Sequence, residues 1–187
     1  MRKLIFAINI TINGTADHTE AIADDELHDF FTNMLTDVDV ILFGRKTYQL
    51  MENFWPVAHK DSGATKSMLR FADKINSIQK IVFSKTLKKV IWENTKLFNG
   101  NIRNEVLKLK KQRGKNISIG SLSIASDLTN AGLIDEYWFL VHPIIGSINK
   151  QIFNNIKKRI NLKLISTKTF NSGVVVLRYK KNLSVET

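Results

Sequence analysis

The chain has 187 residues, of which 43% are hydrophobic and 24% charged, and its formal net charge is +11. This length fits a single domain, residues 1–187, with a short tail after about residue 181. Because cysteine is absent, disulfides, thiolate metal sites and cysteine nucleophiles are excluded. No apolar run reaches the roughly 20 residues that span a bilayer, so we expect a cytoplasmic protein without membrane attachment.

The positive charge favours anionic ligands in general, whether a nucleic acid, a phosphorylated metabolite or a dinucleotide. Many of the lysines fall in two runs, residues 108–115 and 157–159, each near the end of a helical pattern. Cations are favoured at helix C-termini, and a solvated basic face is the commoner origin of such runs. We therefore expect no nucleic acid partner, and a polyanion binder is the least favoured alternative.

Hydrophobic patterning predicts a buried first strand and an amphipathic first helix. Residues 3–12 are almost continuously apolar, which is typical of a central strand covered on both faces. After a loop over residues 13–23, the acids Asp24, Asp25 and Glu26 suit the positive N-terminus of a helix. The apolar residues of that helix fall on one face: Leu27, Phe30, Phe31, Met34 and Leu35.

The remaining pattern alternates strands with helices and ends in strands. The predicted strands are residues 38–43, 80–83, a short one near 90–92, 116–120, 136–142, 162–170 and 174–179, and the predicted helices are residues 45–54, 68–75, 102–112 and 122–131. Asn171, Ser172 and Gly173 separate the last two strands as a hairpin turn would. We therefore predict an α/β domain with a mostly parallel central sheet, helices on both faces and a C-terminal antiparallel hairpin.

Ligands of such sheets collect at the carboxyl ends of the strands, and three strand ends carry suitable residues. The first is the run Gly44, Arg45, Lys46 and Thr47. A glycine there lets the backbone turn into a helix whose free amides can hold an anion. A glycine that merely links strand to helix, with surface cations after it, explains the same run equally well.

The other two strand ends carry hydroxyl groups. Ser84 and Lys85 could receive a ribose 2′-phosphate, or Ser84 could form a plain Ser/Thr turn. Gly120 and Ser121 stand at a helix start suited to a pyrophosphate, or Ser121 could be an ordinary N-cap. The residues by themselves leave both alternatives open.

The order of these sites and two longer segments resemble a known family. The segments FGRKTYQLM (residues 43–51) and GLIDEYWFLVHPIIG (residues 132–146) are the most specific. They are similar to the dihydrofolate reductase-like family that includes the riboflavin-biosynthesis reductase domain, and the resemblance covers nearly the whole chain. It implies a three-layer dihydrofolate reductase-like fold, a homodimer, and hydride transfer from NADPH to a small heterocyclic or carbonyl substrate.

The resemblance also implies a role for each matched residue. Ala7 and Ile8 would lie beside the nicotinamide, and Gly14 in a mobile loop that closes over the site. The phosphates would be held by Gly44, Arg45, Lys46 and Thr47, the 2′-phosphate by Ser84 and Lys85, and the pyrophosphate by Gly120, Ser121 and Leu122. Of these, the cations Arg45 and Lys85 would carry the preference for NADPH over NADH.

Several positions depart from the family pattern. Ser121 replaces the second glycine of a pair, Asn13 replaces an acidic residue, and a second glycine after Gly146 is missing. Leu27 stands where dihydrofolate reductases place a helical carboxylate, so folate reduction is disfavoured. A non-catalytic binder with a degenerate cofactor site is therefore the main alternative function.

No catalytic residue can be named from the sequence. The candidate substrate residues are Asn9, Tyr48 and Trp55, although aromatic residues at this spacing more often belong to the core. The four histidines show no metal-ligand spacing, so we predict no metal site.

Overall fold

The computed structural model describes residues 1–147 and 150–182, so most of the predicted tail lies outside the described residues. The strands are β1 (Leu4–Thr11), β2 (Val38–Gly44), β3 (Gln79–Phe83), β4 (Thr95–Phe98), β5 (Asn116–Ile119), β6 (Glu136–His142), β7 (Leu162–Thr169) and β8 (Val175–Lys181). The α-helices are α1 (Asp25–Thr36), α2 (Arg45–Glu52), α3 (Lys66–Ser77), α4 (Ile102–Lys111) and α5 (Leu122–Asn130), and short 3₁₀ helices span His18–Glu20 and Trp55–Lys60.

All the described strands join one sheet in the order β4-β3-β2-β5-β1-β6-β8-β7. Strands β1 to β6 run parallel to one another, whereas β8 is antiparallel to β6 and β7 is antiparallel to β8. Strand β1 lies inside the sheet between β5 and β6, as its apolar run predicted. The predicted mostly parallel sheet with a C-terminal hairpin is confirmed, and Gly173 at φ +83° forms part of the hairpin turn.

Helices cover both faces of the sheet and make three layers. Leu4 and Phe6 of β1 belong to a core shared with α4 and α5 on one face. Ile5 and Ala7 belong to a core shared with α1 and α3 on the other. The apolar face predicted for α1 is confirmed, because its five residues are buried or half-buried against the core. None of the helices in the described ranges is long and apolar enough to cross a membrane.

The strand predicted near residues 90–92 is wrong, and β4 forms later at Thr95–Phe98. The backbone amides of Ile91 and Trp92 donate to the Tyr48 hydroxyl, at 3.2 and 3.1 Å, instead of to a neighbouring strand. The Trp92 indole is buried, whereas Ile91 is 72% exposed. An apolar residue can therefore anchor a loop in the core without belonging to a strand.

The two basic runs lie in different settings. The lysines of residues 108–111 occupy the last turn of α4, as predicted. Residues 157–159 lie in an irregular segment, so their predicted place near a helix end is wrong. The chain is held there by the Asn130 side chain, which binds the Asn155 carbonyl and the Lys157 amide, both at 2.9 Å.

Candidate functional site

The carboxyl ends of neighbouring parallel strands form one edge of the sheet. Along this edge β3, β2 and β5 are adjacent, so Ser84, Gly44 and Gly120 follow one another in space. Strands β1 and β6 continue the edge, where Thr11 pairs with His142. The three strand ends selected from the sequence are thus brought together, as the parallel arrangement requires.

Two helices begin side by side at this edge. Gly44 occupies the N-cap position of α2 and Ser121 that of α5, and neither helix has a side-chain capping bond. The two positions touch, because the Gly44 N–H donates to the Ser121 Oγ at 2.7 Å. The first amides of both helices are thus free of capping side chains, and together with the helix dipoles they favour an anion.

The Ser121 side chain is directed toward β2 and is only 3% exposed. It occupies an N-cap position without capping its own helix, so the ordinary N-cap interpretation is wrong. A Cβ built on Gly44 would lie 3.4 Å from the Oγ atoms of both Ser121 and Ser123, which is ordinary van der Waals contact. The hydroxyl of Ser121 therefore fixes the spacing between the two helix starts.

Cationic side chains stand at the start of α2. Arg45 and Lys46 are exposed, and Thr47 is half-buried. The Arg45 guanidinium donates one bond, from Nη1 to the Gln49 Oε1 at 3.2 Å. No other bond of this guanidinium is present among the described residues, so its remaining N–H groups are open to an anion at the same helix start as the free amides.

Ser84 forms the turn that was the alternative to a phosphate site. Its Oγ accepts hydrogen bonds from the amides of Leu87 at 2.9 Å and Thr86 at 3.2 Å. The neighbouring Lys85 is exposed. A ligand at this strand end would therefore be bound chiefly by the Lys85 ammonium, with the Ser84 hydroxyl already used as an acceptor.

Gly120 is required by the core. A Cβ at this position would lie 2.5 Å from Cε1 of Phe43, so a larger residue would displace the aromatic ring. Leu122, the first residue of α5, is half-buried against the core beside β5. Both residues lie at the predicted edge, and packing explains their identity before any ligand is considered.

Strand β1 presents different groups on its two faces. Ala7 is 8% exposed and belongs to the α1 side, whereas Ile8 packs on the opposite side. Asn9 returns to the α1 side, where its Oδ1 lies 3.2 Å from the Nε2 of His142. His142 lies in the family-like segment of residues 132–146, but it was not predicted as a site residue.

His142 is 1% exposed. Its Nδ1 accepts a hydrogen bond from the backbone N–H of Ile22 at 3.0 Å. Burial lowers the pKa of the imidazole below its ordinary value, while the nearby Asp24 carboxylate acts in the opposite direction. The ring is therefore neutral around pH 7.

The loop after β1 is closed against the segment after β6. Gly14 has φ +81°, and its carbonyl accepts a bond from the amide of Ile152 at 3.1 Å. The Asn13 side chain binds both backbone groups of Gly146, donating to the carbonyl at 2.8 Å and accepting from the amide at 2.9 Å. An aspartate could not donate the first of these bonds, which explains why an amide serves here.

Tyr48 lies in the core, and its expected role as a substrate residue is not supported. The ring is fully buried beside Trp92, and the hydroxyl donates to Glu52. Trp55 is half-buried and packs edge-on against Phe71, with ring centroids 4.6 Å apart. The indole of Trp55 therefore belongs to an aromatic cluster between α1 and α3 that also includes His28.

The acids at the start of α1 have structural roles. Asp24 accepts a capping bond from the Leu27 amide at 2.8 Å, and Asp25 binds the Thr65 hydroxyl at 2.6 Å. Leu27 is 4% exposed, so this helix brings no carboxylate to its expected position. In the part of the chain that the structure describes, no three His, Asp or Glu side chains are grouped as a metal site.

The fold and this sheet edge define a dihydrofolate reductase-like domain, and comparison with known proteins identifies its family. The sequence matches the RibD C-terminal domain family over residues 2–176. The chain belongs to that family. The reductase-type family resemblance recognised in the sequence is thereby confirmed.

The chain is similar to a curated relative and to two solved structures over nearly its whole length. The chain is 35% identical over 186 residues to the uncharacterized protein YyaP of Bacillus subtilis, covering 97% of this chain and 96% of that protein. A putative riboflavin biosynthesis protein from Shewanella superposes with a TM-score of 0.70 at 15% identity, over 97% of this chain and 99% of that one. A pyrimidine reductase-like protein from Corynebacterium diphtheriae superposes with a TM-score of 0.68 at 16% identity, over 97% of this chain and 92% of that one.

A larger protein contains the same fold as one part. The diaminohydroxyphosphoribosylaminopyrimidine deaminase/5-amino-6-(5-phosphoribosylamino)uracil reductase of Thermotoga maritima superposes with a TM-score of 0.67 at 15% identity. The superposition covers 97% of this chain and 57% of that protein. At this identity the likeness shows the fold alone.

Proposed function

We propose that this protein is an NADPH-dependent reductase that acts on a small heterocyclic compound of the pyrimidine type. The observation that carries the proposal is the pair of adjacent helix starts at Gly44 and Ser121, both without side-chain caps. Exposed cations follow at Arg45 and Lys46. Two free helix N-termini with neighbouring cations suit the two phosphates of a dinucleotide.

In this proposal, different residues at the sheet edge would bind different parts of the cofactor. The start of α2, with Gly44 and Arg45, and the start of α5, at Ser121 and Leu122, would bind the pyrophosphate. Lys85 at the end of β3 would bind the 2′-phosphate, which distinguishes NADPH from NADH. When bound, NADPH supplies a hydride, and the chain supplies orientation and exclusion of water.

Two structural neighbours support the proposed substrate type. One is a pyrimidine reductase-like protein, and another is a 5-amino-6-(5-phosphoribosylamino)uracil reductase. On the α1 side of β1 the polar group near Ala7 that is partly exposed is the Asn9 amide, which contacts the buried His142. A heterocycle with carbonyl and ring-nitrogen groups matches this amide better than a purely apolar substrate.

Titration with NADPH and NADH, followed by fluorescence or calorimetry, tests the cofactor. We expect micromolar binding of NADPH that Arg45→Ala and Lys85→Ala each weaken about tenfold, the loss of one charge-assisted phosphate contact. The Lys85 variant should leave NADH binding unchanged. Lys111→Ala, an exposed lysine in the last turn of α4, is the matched control.

Two other results would contradict the reductase. No binding of either nucleotide would favour a non-catalytic protein with a degenerate cofactor site. Nucleotide binding that weakens steeply as the salt concentration rises, and that neither Arg45→Ala nor Lys85→Ala changes, would favour a polyanion binder.

If NADPH binds, its oxidation is followed at 340 nm with 5-amino-6-(5-phosphoribosylamino)uracil and with dihydrofolate. We expect turnover of the first compound only.

The homodimer stays a proposal, and the exposed edge of the sheet supports it. Strand β7 has no partner on its outer side in the described chain, and Leu164 and Ile165 are 50% and 42% exposed. A long unpaired edge strand readily pairs with another chain. Light scattering on wild type and on Ile165→Lys would show a dimer that the substitution weakens, and a monomeric wild type would contradict the proposal.

A further inference from the structure

The contacts of His142 fix which of its ring nitrogens carries the hydrogen. The backbone N–H of Ile22 can only donate, and it points at Nδ1 from 3.0 Å. Nδ1 must therefore provide a lone pair, and in a neutral imidazole the hydrogen then sits on Nε2. Nε2 lies 3.2 Å from the Asn9 Oδ1, to which it donates.

The direction of this hydrogen bond also fixes the orientation of the Asn9 side-chain amide. Because Oδ1 accepts from His142, the NH₂ group is directed away from the imidazole. In residues 1–147 and 150–182 the Asn9 Nδ2 has no hydrogen-bond partner, and the side chain is partly exposed. Two N–H donors are thus available on the α1 side of β1, two residues beyond Ala7.

The arrangement is held by its surroundings. Asn9 pairs with Leu140 and Thr11 pairs with His142 across β1 and β6, so the amide and the imidazole are diagonal neighbours on one face. His142 is 1% exposed, and the charged group facing it is the Asp24 carboxylate of the cap of α1. Burial and its two hydrogen bonds therefore give the ring a defined orientation.

We propose that His142 is a positioning residue that locks the Asn9 amide with its NH₂ group toward the substrate, which must present a carbonyl oxygen or an unprotonated ring nitrogen to it. The inference rests on the proposed reductase function and deepens it by naming a substrate group. A carbonyl-bearing pyrimidine satisfies the donor. A substrate with an N–H at that point leaves two donors facing each other, and such a mismatch discriminates strongly between substrates.

Three variants separate positioning from simple packing. Asn9→Asp still accepts from His142 but replaces the outward donor by a carboxylate oxygen. His142→Gln can accept from Ile22 and donate to Asn9, so it is the conservative rescue. His142→Phe fills the space and removes both bonds, which frees the amide to turn over.

The first readout does not require activity. Long-range ¹⁵N–¹H NMR of the histidine side chains in wild type should show a neutral His142 with its hydrogen on Nε2. A hydrogen on Nδ1 would overturn the proposal, because the Asn9 amide would then be reversed or free.

The second readout is steady-state kinetics with NADPH and 5-amino-6-(5-phosphoribosylamino)uracil, together with the Kd for NADPH. We expect Asn9→Asp and His142→Phe to raise KM about tenfold or more, as for loss of a hydrogen-bonded contact. kcat should change less, NADPH binding should be unchanged, and His142→Gln should stay close to wild type. An unchanged KM in Asn9→Asp would overturn the proposal.

The two proposals fail in different ways. Wild type that does not bind NADPH contradicts the reductase function, whereas the NMR result still decides whether His142 orients Asn9. If wild type binds and oxidises NADPH, but the KM is the same in wild type, Asn9→Asp and His142→Phe, the positioning role is contradicted. The reductase function is then still supported.

Discussion

The Ser121 hydroxyl and the Gly44 amide are joined by a buried hydrogen bond of 2.7 Å that connects the starts of α5 and α2. This bond uses the serine that departs from the family's glycine pair. It holds two helix N-termini at a fixed separation, which a dinucleotide-binding edge requires. The departure is therefore compatible with a cofactor site, and its consequence can be measured.

Removing the Ser121 hydroxyl should destabilise the fold. In Ser121→Ala the buried amide of Gly44 loses its partner, which costs about 1–3 kcal/mol. Urea unfolding should show this loss in the free energy of unfolding. Ser123→Ala, whose side chain is exposed on the same helix turn, is the matched control and should stay within about 0.5 kcal/mol of wild type. Equal stabilities for the two variants would contradict a structural role for the bond.

A methyl group at Gly120 should be tolerated poorly. It would lie 2.5 Å from Cε1 of Phe43, and such overpacking costs about 1–3 kcal/mol. Thermal unfolding of Gly120→Ala should show a lower Tm, which the double variant Gly120→Ala/Phe43→Leu partly restores. Gly63→Ala, at an exposed glycine with its nearest contact at 3.4 Å, should change Tm little. A Gly120→Ala protein as stable as wild type would show that Phe43 moves freely.

Asn13→Asp, which restores the acidic residue of the family pattern, should loosen the loop after β1. The carboxylate keeps the bond from the Gly146 amide but cannot donate to the Gly146 carbonyl, which lies 2.8 Å from the present Nδ2. Hydrogen exchange should become faster at the amides of Gly146 and Ile152. Asn99→Asp, at an exposed asparagine, is the control. Unchanged protection in Asn13→Asp would mean that this amide does not hold the loop.

Lys80 should make stability depend on pH above neutrality. The side chain is fully buried, and its Nζ donates to the carbonyls of Asn76, Ile78 and Glu93 at 3.0, 2.8 and 3.1 Å. Burial lowers the pKa of Lys80 from 10.5 to about 8, although Glu93 acts in the opposite direction. Between these two values the unfolded chain binds more protons than the folded one, so the free energy of unfolding rises with pH.

The predicted slope is at most about 1.4 kcal/mol per pH unit for one group. Urea unfolding of wild type and Lys80→Met at pH 7.5, 8.5 and 9.5 would isolate the Lys80 contribution as the difference between their slopes. The upper limit avoids Tyr48, whose pKa is raised above 10.0 by burial and by Glu52. Parallel pH profiles for the two proteins would show that Lys80 keeps its ordinary pKa.

Local pattern predicted most of the secondary structure because each element carries its own period or cap. The alternation of strands and helices predicted a mostly parallel sheet, and the turn at Asn171–Gly173 predicted the final hairpin. Residues 90–92 were misassigned because an apolar side chain has the same appearance in sequence whether it anchors a loop or pairs in a strand. Residues 157–159 were misassigned because the Asn130 contacts that shape this segment are 25 and 27 residues away in sequence.

The sequence by itself determined the fold class and the three strand ends at which a cofactor is expected, since these depend on hydrophobic period, glycine position and local charge. The family was recognised from the resemblance of residues 43–51 and 132–146. Only the tertiary structure decided which of those groups are free. In the structure Tyr48 lies in the core, the Ser84 hydroxyl accepts hydrogen bonds within a turn, and the Ser121 hydroxyl accepts a bond from the Gly44 amide. It also joined Asn9 to His142, 133 residues apart, because hydrogen-bond partners on neighbouring strands are set by register and not by any local pattern.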